Sequence, residues 1–266
     1  MLLDDRVCVV IGVGPGLGRR IALSLAQHGA DVVLAARREQ VLRQVAEEVE
    51  SSTGRRTLVV PTDVTDAAQC EELVARSVDG LGAVDVLVNN VFAADVYQTF
   101  RRVELEEWRR LVDVNLFGPL QVTKAFIPHM QQHQAAHDEQ RTSIVFVNSM
   151  AVRKPRAQEG GYTVAKGGLL VAARVLAKEL GRYRIRVNSV LPGWMWGPQV
   201  QEHVEFLAQH RGVDSSEVVA DIAKEIALGA IPTDDEVAGS VVFLASDLAR
   251  AVTGHSLDAN GGEVFD

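Results

Sequence analysis

Short continuous apolar runs recur along this chain, each followed by a stretch with helical spacing, and that alternation constrains the fold more than any other feature. Residues 6–11 (RVCVVI) lead into a glycine-rich turn and then RRIALSLAQHG. ADVVLAA precedes EQVLRQVAEEVESS, and TLVVPTDV precedes a helical pattern over 66–80. VDVLVNN at 84–90 is followed by a long helix near 104–117, SIVFVNS at 143–149 by the helix that holds Tyr162, and IRVNSVLPG at 185–193 closes the series. Strands that alternate with helices imply parallel βαβ units, and strands without polar alternation are buried on both faces. The expected fold class is therefore α/β, a doubly wound parallel sheet. With 266 residues, 47% of them hydrophobic, and no Pro/Gly/Ser linker or internal repeat, one domain spanning 1–266 is expected.

GVGPGLG, Gly12 to Gly18, follows the first strand and opens a helix. Glycines in that context let the backbone approach a diphosphate, while the helix N-terminus offers it free N–H groups and a positive dipole end. Gly12, Gly16, Leu17 and Gly18 are the candidate contacts. The second strand ends in Ala36, Arg37 and Arg38, where a carboxylate would select a free ribose 2′-hydroxyl. Two guanidinium groups suit a 2′-phosphate instead, so NADP is favoured and NAD is the alternative; ordinary solvated arginines at a helix start are the plainer reading. Asp63, in PTDV, is placed either to accept from an adenine amino group or simply to form a turn.

Tyr162 and Lys166 stand four residues apart in GGYTVAKGG. On a helix they share one face, with Cβ atoms about 5–6 Å apart. An ammonium about 4 Å from a phenolate is worth roughly 4 kcal/mol at an effective dielectric of 20, enough to lower the phenol by about three pKa units. A tyrosine tuned in this way is a candidate general acid/base. Taken alone, the pair is far more simply read as a packed tyrosine with a solvated lysine one turn on.

The remaining motifs decide between those readings. Gly12, Gly16 and Gly18, Asp63-Val64, Asn89-Asn90, Asn115, Ser149 thirteen residues before Tyr162, Lys166, and Pro192-Gly193 stand in an order that resembles the short-chain dehydrogenase/reductase superfamily, from about residue 6 to TGHSLDANGG. The resemblance implies a Rossmann fold and a tetrad of Asn115, Ser149, Tyr162 and Lys166. By that analogy Tyr162 exchanges a proton with the substrate oxygen and Ser149 holds that oxygen. Lys166 binds the nicotinamide ribose and depresses the tyrosine pKa, and Asn115 supports a bent helix and a proton-relaying water. Asp63, Val64, Asn89, Pro192, Gly193 and Met195 join the glycine loop as implied cofactor contacts. Family members often pair through helices near 105–130 and 160–180, so a homo-oligomer, dimer or tetramer, is implied. Three departures stand out. Ile11 replaces a turn-supporting threonine, Val91-Phe92 replaces small residues and is expected to crowd the cofactor or pocket floor, and Gly197 replaces a threonine that would bond the cofactor.

The expected activity is hydride transfer between nicotinamide and a small, largely apolar secondary alcohol or ketone. Reduction of a 3-oxoacyl thioester is the alternative within the same chemistry, and a non-catalytic dinucleotide sensor or scaffold is the alternative outside it. A net charge of −8, mixed along the chain, argues against a nucleic-acid partner. The absence of long apolar runs argues against a membrane span, and the acidic start MLLDD reads as cytoplasmic. His129, His133 and His137 recur every four residues, but their Gln, Asp and Glu neighbours read as a solvated helix end or loop, and no metal site is expected. Trp194 and Trp196 follow the sixth strand, where a pocket role for one of them is expected, and the helix-rich segment 194–231 is a candidate substrate lid.

Overall fold

The computed structural model describes residues 1–265. Seven parallel strands form one sheet in the order β3-β2-β1-β4-β5-β6-β7: β1 Val7–Ile11, β2 Asp31–Ala36, β3 Thr57–Pro61, β4 Val86–Asn89, β5 Ser143–Val147, β6 Arg186–Pro192 and β7 Ser256–Ala259. The helices are α1 Leu17–Gln27, α2 Glu39–Thr53, α3 Ala67–Leu81, α4 Leu105–Val112, α5 Gly118–Ala135, α6 Gly160–Leu180, α7 Pro198–Arg211, α8 Ser215–Ala223 and α9 Asp234–Ala245.

Every residue of β1, β4, β5 and β6 is buried, because helices cover both faces of the sheet. Successive side chains alternate between two cores. Cys8 and Val10 pack with α1, α2 and α9, whereas Val7, Val9 and Ile11 pack with α3, α5 and α6. Strand order reverses between β1 and β4, and ligands of such sheets bind outside the C-terminal ends of the strands at that reversal. The turns after β1, β4, β5 and β6 all open there.

The helix expected near 104–117 is longer and bent. α4 ends at Val112, a π-helical turn spans Asp113–Phe117, and α5 continues to Ala135. Pro119 sits in the first turn of α5, where a missing N–H costs nothing, so the Gly118-Pro119 pair does not end the helix. α5 also overturns the solvated-end reading of the histidines. His133 Nε2 lies 3.0 Å from Oδ1 of buried Asp85, and His137 Nδ1 lies 2.8 Å from the His133 carbonyl. Burial alone would raise the Asp85 carboxyl, but hydrogen bonds from His133, the Val7 N–H and Arg141 hold it below the usual range. No helix among the described residues is long and apolar enough to cross a membrane.

Candidate active site

Gly12 takes φ +85°, and a Cβ there would meet the Asn90 carbonyl at 2.2 Å; a Cβ on Gly18 would lie 2.5 Å from the Gly12 carbonyl. These two glycines are needed for the turn itself and for close helix packing. A Cβ on Gly14 would touch nothing, and one on Gly16 would meet only Asp234 Oδ2 at 3.4 Å and Pro198 Cδ at 3.9 Å. The α1 N-terminus has no side-chain cap at Gly16. The loop is thus an open backbone cradle with unpaired N–H groups, which fits a diphosphate. The hydroxyl missing at Ile11 is replaced by main chain: Gly12 N and Val13 N both donate to the Ala35 carbonyl, at 2.8 and 3.2 Å. Asn90 Nδ2 holds the Gly12 carbonyl at 2.9 Å. Neither Gly14 nor Asn90 stood among the expected site residues; their adjacency to Gly12 and Asn89 was the available signal.

Arg37 and Arg38 are exposed beyond β2, and neither forms an ion pair within bonding distance. Asp63 Oδ1 accepts from Thr65 N at 2.9 Å and Thr65 Oγ1 at 2.7 Å. That is the turn-forming role, and those bonds, with Arg37 nearby, hold the Asp63 carboxyl below its usual range. Val64 is buried against α5, its carbonyl accepting from Gln121 at 2.9 Å. The Asn89 side chain is turned away from the crevice and donates to Thr123 Oγ1 at 3.1 Å, which leaves only its main chain to meet a ligand. Gly193 packs so closely that a Cβ would meet Asn260 Cβ at 2.8 Å and Met150 Sδ at 2.9 Å.

Asn115 lies within the π turn and is fully buried. Its Nδ2 donates to the carbonyls of Ala93 (3.0 Å) and Leu111 (3.1 Å), and its Oδ1 accepts from Ala93 N (2.9 Å). It therefore pins the bend to the loop after β4. Ser149 ends the β5 turn, its hydroxyl accepting from Ala151 N at 3.1 Å. Tyr162 and Lys166 share one face of α6, and Lys166 Nζ lies 5.8 Å from the Tyr162 ring centre. Burial pushes the Tyr162 phenol up to about 12, against the opposing effect of a hydrogen bond from Ser149. The expected lowering by Lys166 is absent for a physical reason. That ammonium is itself buried, which brings its pKa down to about 7, and it is spent on the carbonyls of Val91 and Val147, each at 3.0 Å. Phe92 stacks edge-on against Tyr162 with ring centres 5.6 Å apart, so its ring covers one side of the tyrosine, while Val91 is buried in the core.

A cavity of about 120 Å³ opens beside Ser149 and Tyr162, with Met150, Trp194, Met195 and Val200 on its apolar side. Lys154, Arg156 and Glu159 also line it. The two tryptophans divide as expected: Trp194 lines the cavity under Arg156, whose guanidinium is 4.5 Å from its ring centre, while Trp196 packs among α7 and α8. Those two helices share a small core of their own, Val204, Ala208 and Val218. The space of a threonine side chain at Gly197 is taken by Asp234, whose Oδ2 would lie 2.5 Å from a Cβ there. A second residue with no sequence signal is Asp95, whose Oδ2 accepts the Tyr162 N–H at 2.8 Å. A larger cavity, about 560 Å³, lies at the opposite ends of the strands among Arg6, Asp31, Arg55, Arg56, Asp85 and His133, and touches none of the tetrad.

Residues 12–263 match the family model described as Enoyl-(Acyl carrier protein) reductase. The chain is 32% identical to a 3-oxoacyl-[acyl-carrier-protein] reductase of Thermotoga maritima, with the whole of both chains covered. Among solved structures it is similar to L-sorbose reductase from Gluconobacter frateurii complexed with NADPH and L-sorbose, at 25% identity and a TM-score of 0.92 over the whole of both chains. It is also similar to carveol dehydrogenase from Mycobacterium avium in complex with NAD, at 28% identity and a TM-score of 0.90 over 98% of each chain.

Proposed function

The chain belongs to the short-chain dehydrogenase/reductase family of NAD(P)-dependent oxidoreductases, and we propose that it interconverts a small, largely apolar secondary alcohol and its ketone with Tyr162 as general acid/base. The observation that carries this reading is the convergence of the Ser149 and Tyr162 hydroxyls on one narrow cavity, with Lys166 buried one helical turn beneath.

In the reductive direction the Tyr162 O–H donates to the carbonyl oxygen, and the Ser149 hydroxyl holds the same oxygen as charge develops on it. Lys166, fixed between two main-chain carbonyls, would bind the nicotinamide ribose, and Asn115 keeps the bend of α4 and α5 in register with the loop after β4. The bound nicotinamide cofactor supplies or accepts the hydride. Gly14, Gly16, Leu17 and the α1 N-terminus would hold its diphosphate. Arg37 and Arg38 would hold a 2′-phosphate, and Asp63, Val64, Pro192, Gly193 and Met195 would line the rest. NADP is favoured over NAD because no carboxylate stands at Ala36 and two guanidinium groups are free to bind.

Phe117 of the π turn and Val164, Val171 and Val175 of α6 are exposed apolar side chains and support pairing of two copies there. Two buried free thiols, Cys8 and Cys70, suit the reducing cytoplasm. A second reading, reduction of a 3-oxoacyl thioester, is supported by the full-length similarity to the Thermotoga maritima enzyme. A hydride-transfer assay over apolar ketones, their alcohols and 3-oxoacyl thioesters tests both. Turnover of ketones alone favours the first reading, turnover of thioesters alone the second, and no turnover of either class would count against both.

A further inference from the structure

Three helix N-termini meet at the mouth of the glycine loop: α1 at Gly16, α7 at Gly197 and α9 at Thr233. The side chain that fills their junction is Asp234, the first residue of α9. Its Oδ2 would lie 2.5 Å from a Cβ on Gly197 and 3.4 Å from a Cβ on Gly16. The carboxylate is therefore wedged between the loop that follows β1 and the loop that follows β6. It is 8% exposed, and no donor among the described residues hydrogen-bonds or ion-pairs with it. Buried carboxylates are ordinarily paired, and an unpaired one is costly unless it is neutral.

The groups that face it are few. Burial is the dominant influence and holds the Asp234 carboxyl above its usual range; Arg20 of α1 works against this and Asp235 of α9 adds to it. The Arg20 guanidinium is turned to Asp235, 3.4 Å away. From the α7 cap Gly197 approaches, Pro198 borders the same space at Gly16, and neither titrates.

We propose that Asp234 sets the affinity of this site for its dinucleotide, because a diphosphate seated at the α1 N-terminus meets this carboxylate and binds with uptake of one proton by Asp234. The inference rests on the dinucleotide-dependent reading above. An unpaired carboxylate and a diphosphate compete for the same positive helix ends, and like charges forced into one site drive the weaker acid to its neutral form. Once protonated, Asp234 is a donor rather than a rival. The linkage has a definite sign. The ligand selects the protonated state, so the dissociation constant is flat at acid pH and rises by up to about tenfold per pH unit once free Asp234 ionises. Burial brings that rise closer to neutrality than an ordinary aspartate would allow.

The test is equilibrium binding of NADH and of ADP-ribose, neither of which carries a 2′-phosphate, by fluorescence and calorimetry between about pH 5.5 and 8.5. The expected result is a dissociation constant that climbs about tenfold or more across that range. Net proton uptake should appear when calorimetry is repeated in buffers of different ionisation enthalpy. Asp234→Asn should bind NADH about tenfold or more tightly than wild type at the alkaline end, with the uptake gone. Adenosine, without a diphosphate, should show no such dependence. Equal affinity and equal proton uptake in wild type and Asp234→Asn would overturn the proposal. So would an uptake of zero in the wild type alone, a measurement that stands even if the variant fails to fold. Failure of the wild type to bind any nicotinamide nucleotide at any pH would overturn the oxidoreductase reading and this inference with it, a result distinct from binding that ignores pH.

Discussion

Asp95 Oδ2 accepts the backbone N–H of Tyr162 at 2.8 Å, so the loop after β4 caps the helix that carries the proposed acid/base residue. The residue at the cap position of α6, Glu159, offers no side-chain bond. Asp95 is itself buried, and its Oδ1 accepts from Val96 N at 2.7 Å. Asp95→Ala is expected to cost about 0.5–2 kcal/mol of stability, the range for a lost N-cap, and to lower kcat as the first turn of α6 frays. Asp95→Asn keeps one of the two acceptors and should fall between. Urea unfolding and steady-state kinetics on the three proteins check this; an unchanged midpoint in Asp95→Ala would show that the bond contributes nothing.

Tyr162→Phe keeps the ring that Phe92 packs against and removes only the hydroxyl. Turnover should drop about 10²–10⁴-fold while cofactor binding persists. Because burial holds the wild-type phenol near 12, alcohol oxidation, which needs the phenolate, should gain in kcat/KM by up to about tenfold per pH unit on the alkaline side. A profile already level at neutral pH would mean that another group takes the proton.

The sheet was legible in the sequence because strands covered on both faces carry an unbroken apolar signal, as in Val7–Ile11 and Val86–Asn89. The glycine loop and the Ser149–Tyr162 spacing were legible because they are local in sequence. What was not legible depends on contacts across the fold. Nothing near Asp95 announces that it will cap α6, and nothing near Asp234 announces that it will fill the space at Gly197. The polar neighbours of His133 suggested solvent, yet its partner Asp85 stands forty-eight residues away in sequence. The sign of the Tyr162 shift was misjudged for the same reason. Helical spacing shows that Lys166 is near but not that two carbonyls and burial will absorb its charge.

Burial brings Lys166 down to about 7 from an ordinary 10.5. Between those values the unfolded chain binds the extra proton, so stability should rise with pH from about 7 upward, by up to about 1.4 kcal/mol per unit. The buried ammonium's cost is fully present below that window. Tyr162, raised to about 12 from 10.0, acts in the opposite sense only above about pH 10, where the unfolded phenol ionises first. Denaturant unfolding between about pH 7 and 9 should therefore show a rising trend that Lys166→Met lacks. Parallel pH profiles for the two proteins would contradict it.

Helices α7 and α8 share a core of only Val204, Ala208 and Val218, joined to the body near Trp196, whose N–H donates to the Pro232 carbonyl at 2.7 Å, and near Leu228, whose N–H donates to the Gly261 carbonyl at 3.0 Å. So small a buried cluster opens more readily than the sheet. Hydrogen exchange across 194–231 should be faster than in β4 and β5 for the free protein and should slow when cofactor and substrate are both present, as a lid requires. Equal protection in both states would make the pair a fixed packing element.

Cofactor choice turns on Arg37. It is exposed at the end of β2, forms no ion pair within bonding distance, and lies close enough to Asp63 for its charge to be felt there. A guanidinium that is not already paired can donate to a 2′-phosphate without first breaking a bond, and one charge-assisted contact is worth on the order of tenfold to a hundredfold in affinity. Ala36 beside it cannot accept from a free 2′-hydroxyl, so NAD gains nothing in compensation. Pro15 in the glycine loop supplies no second cation, which limits the clamp to the arginines after β2. The expected result is a kcat/KM for NADP about tenfold or more above that for NAD, with Arg37→Ala losing most of this advantage and leaving NAD efficiency nearly unchanged. Arg38 stands at the N-cap position of α2 with no side-chain bond to the helix end, and Arg38→Ala measures its share of the same contact. A wild type that prefers NAD would place the Arg37 side chain in solvent or against the adenine, and the inference from Ala36 would fail.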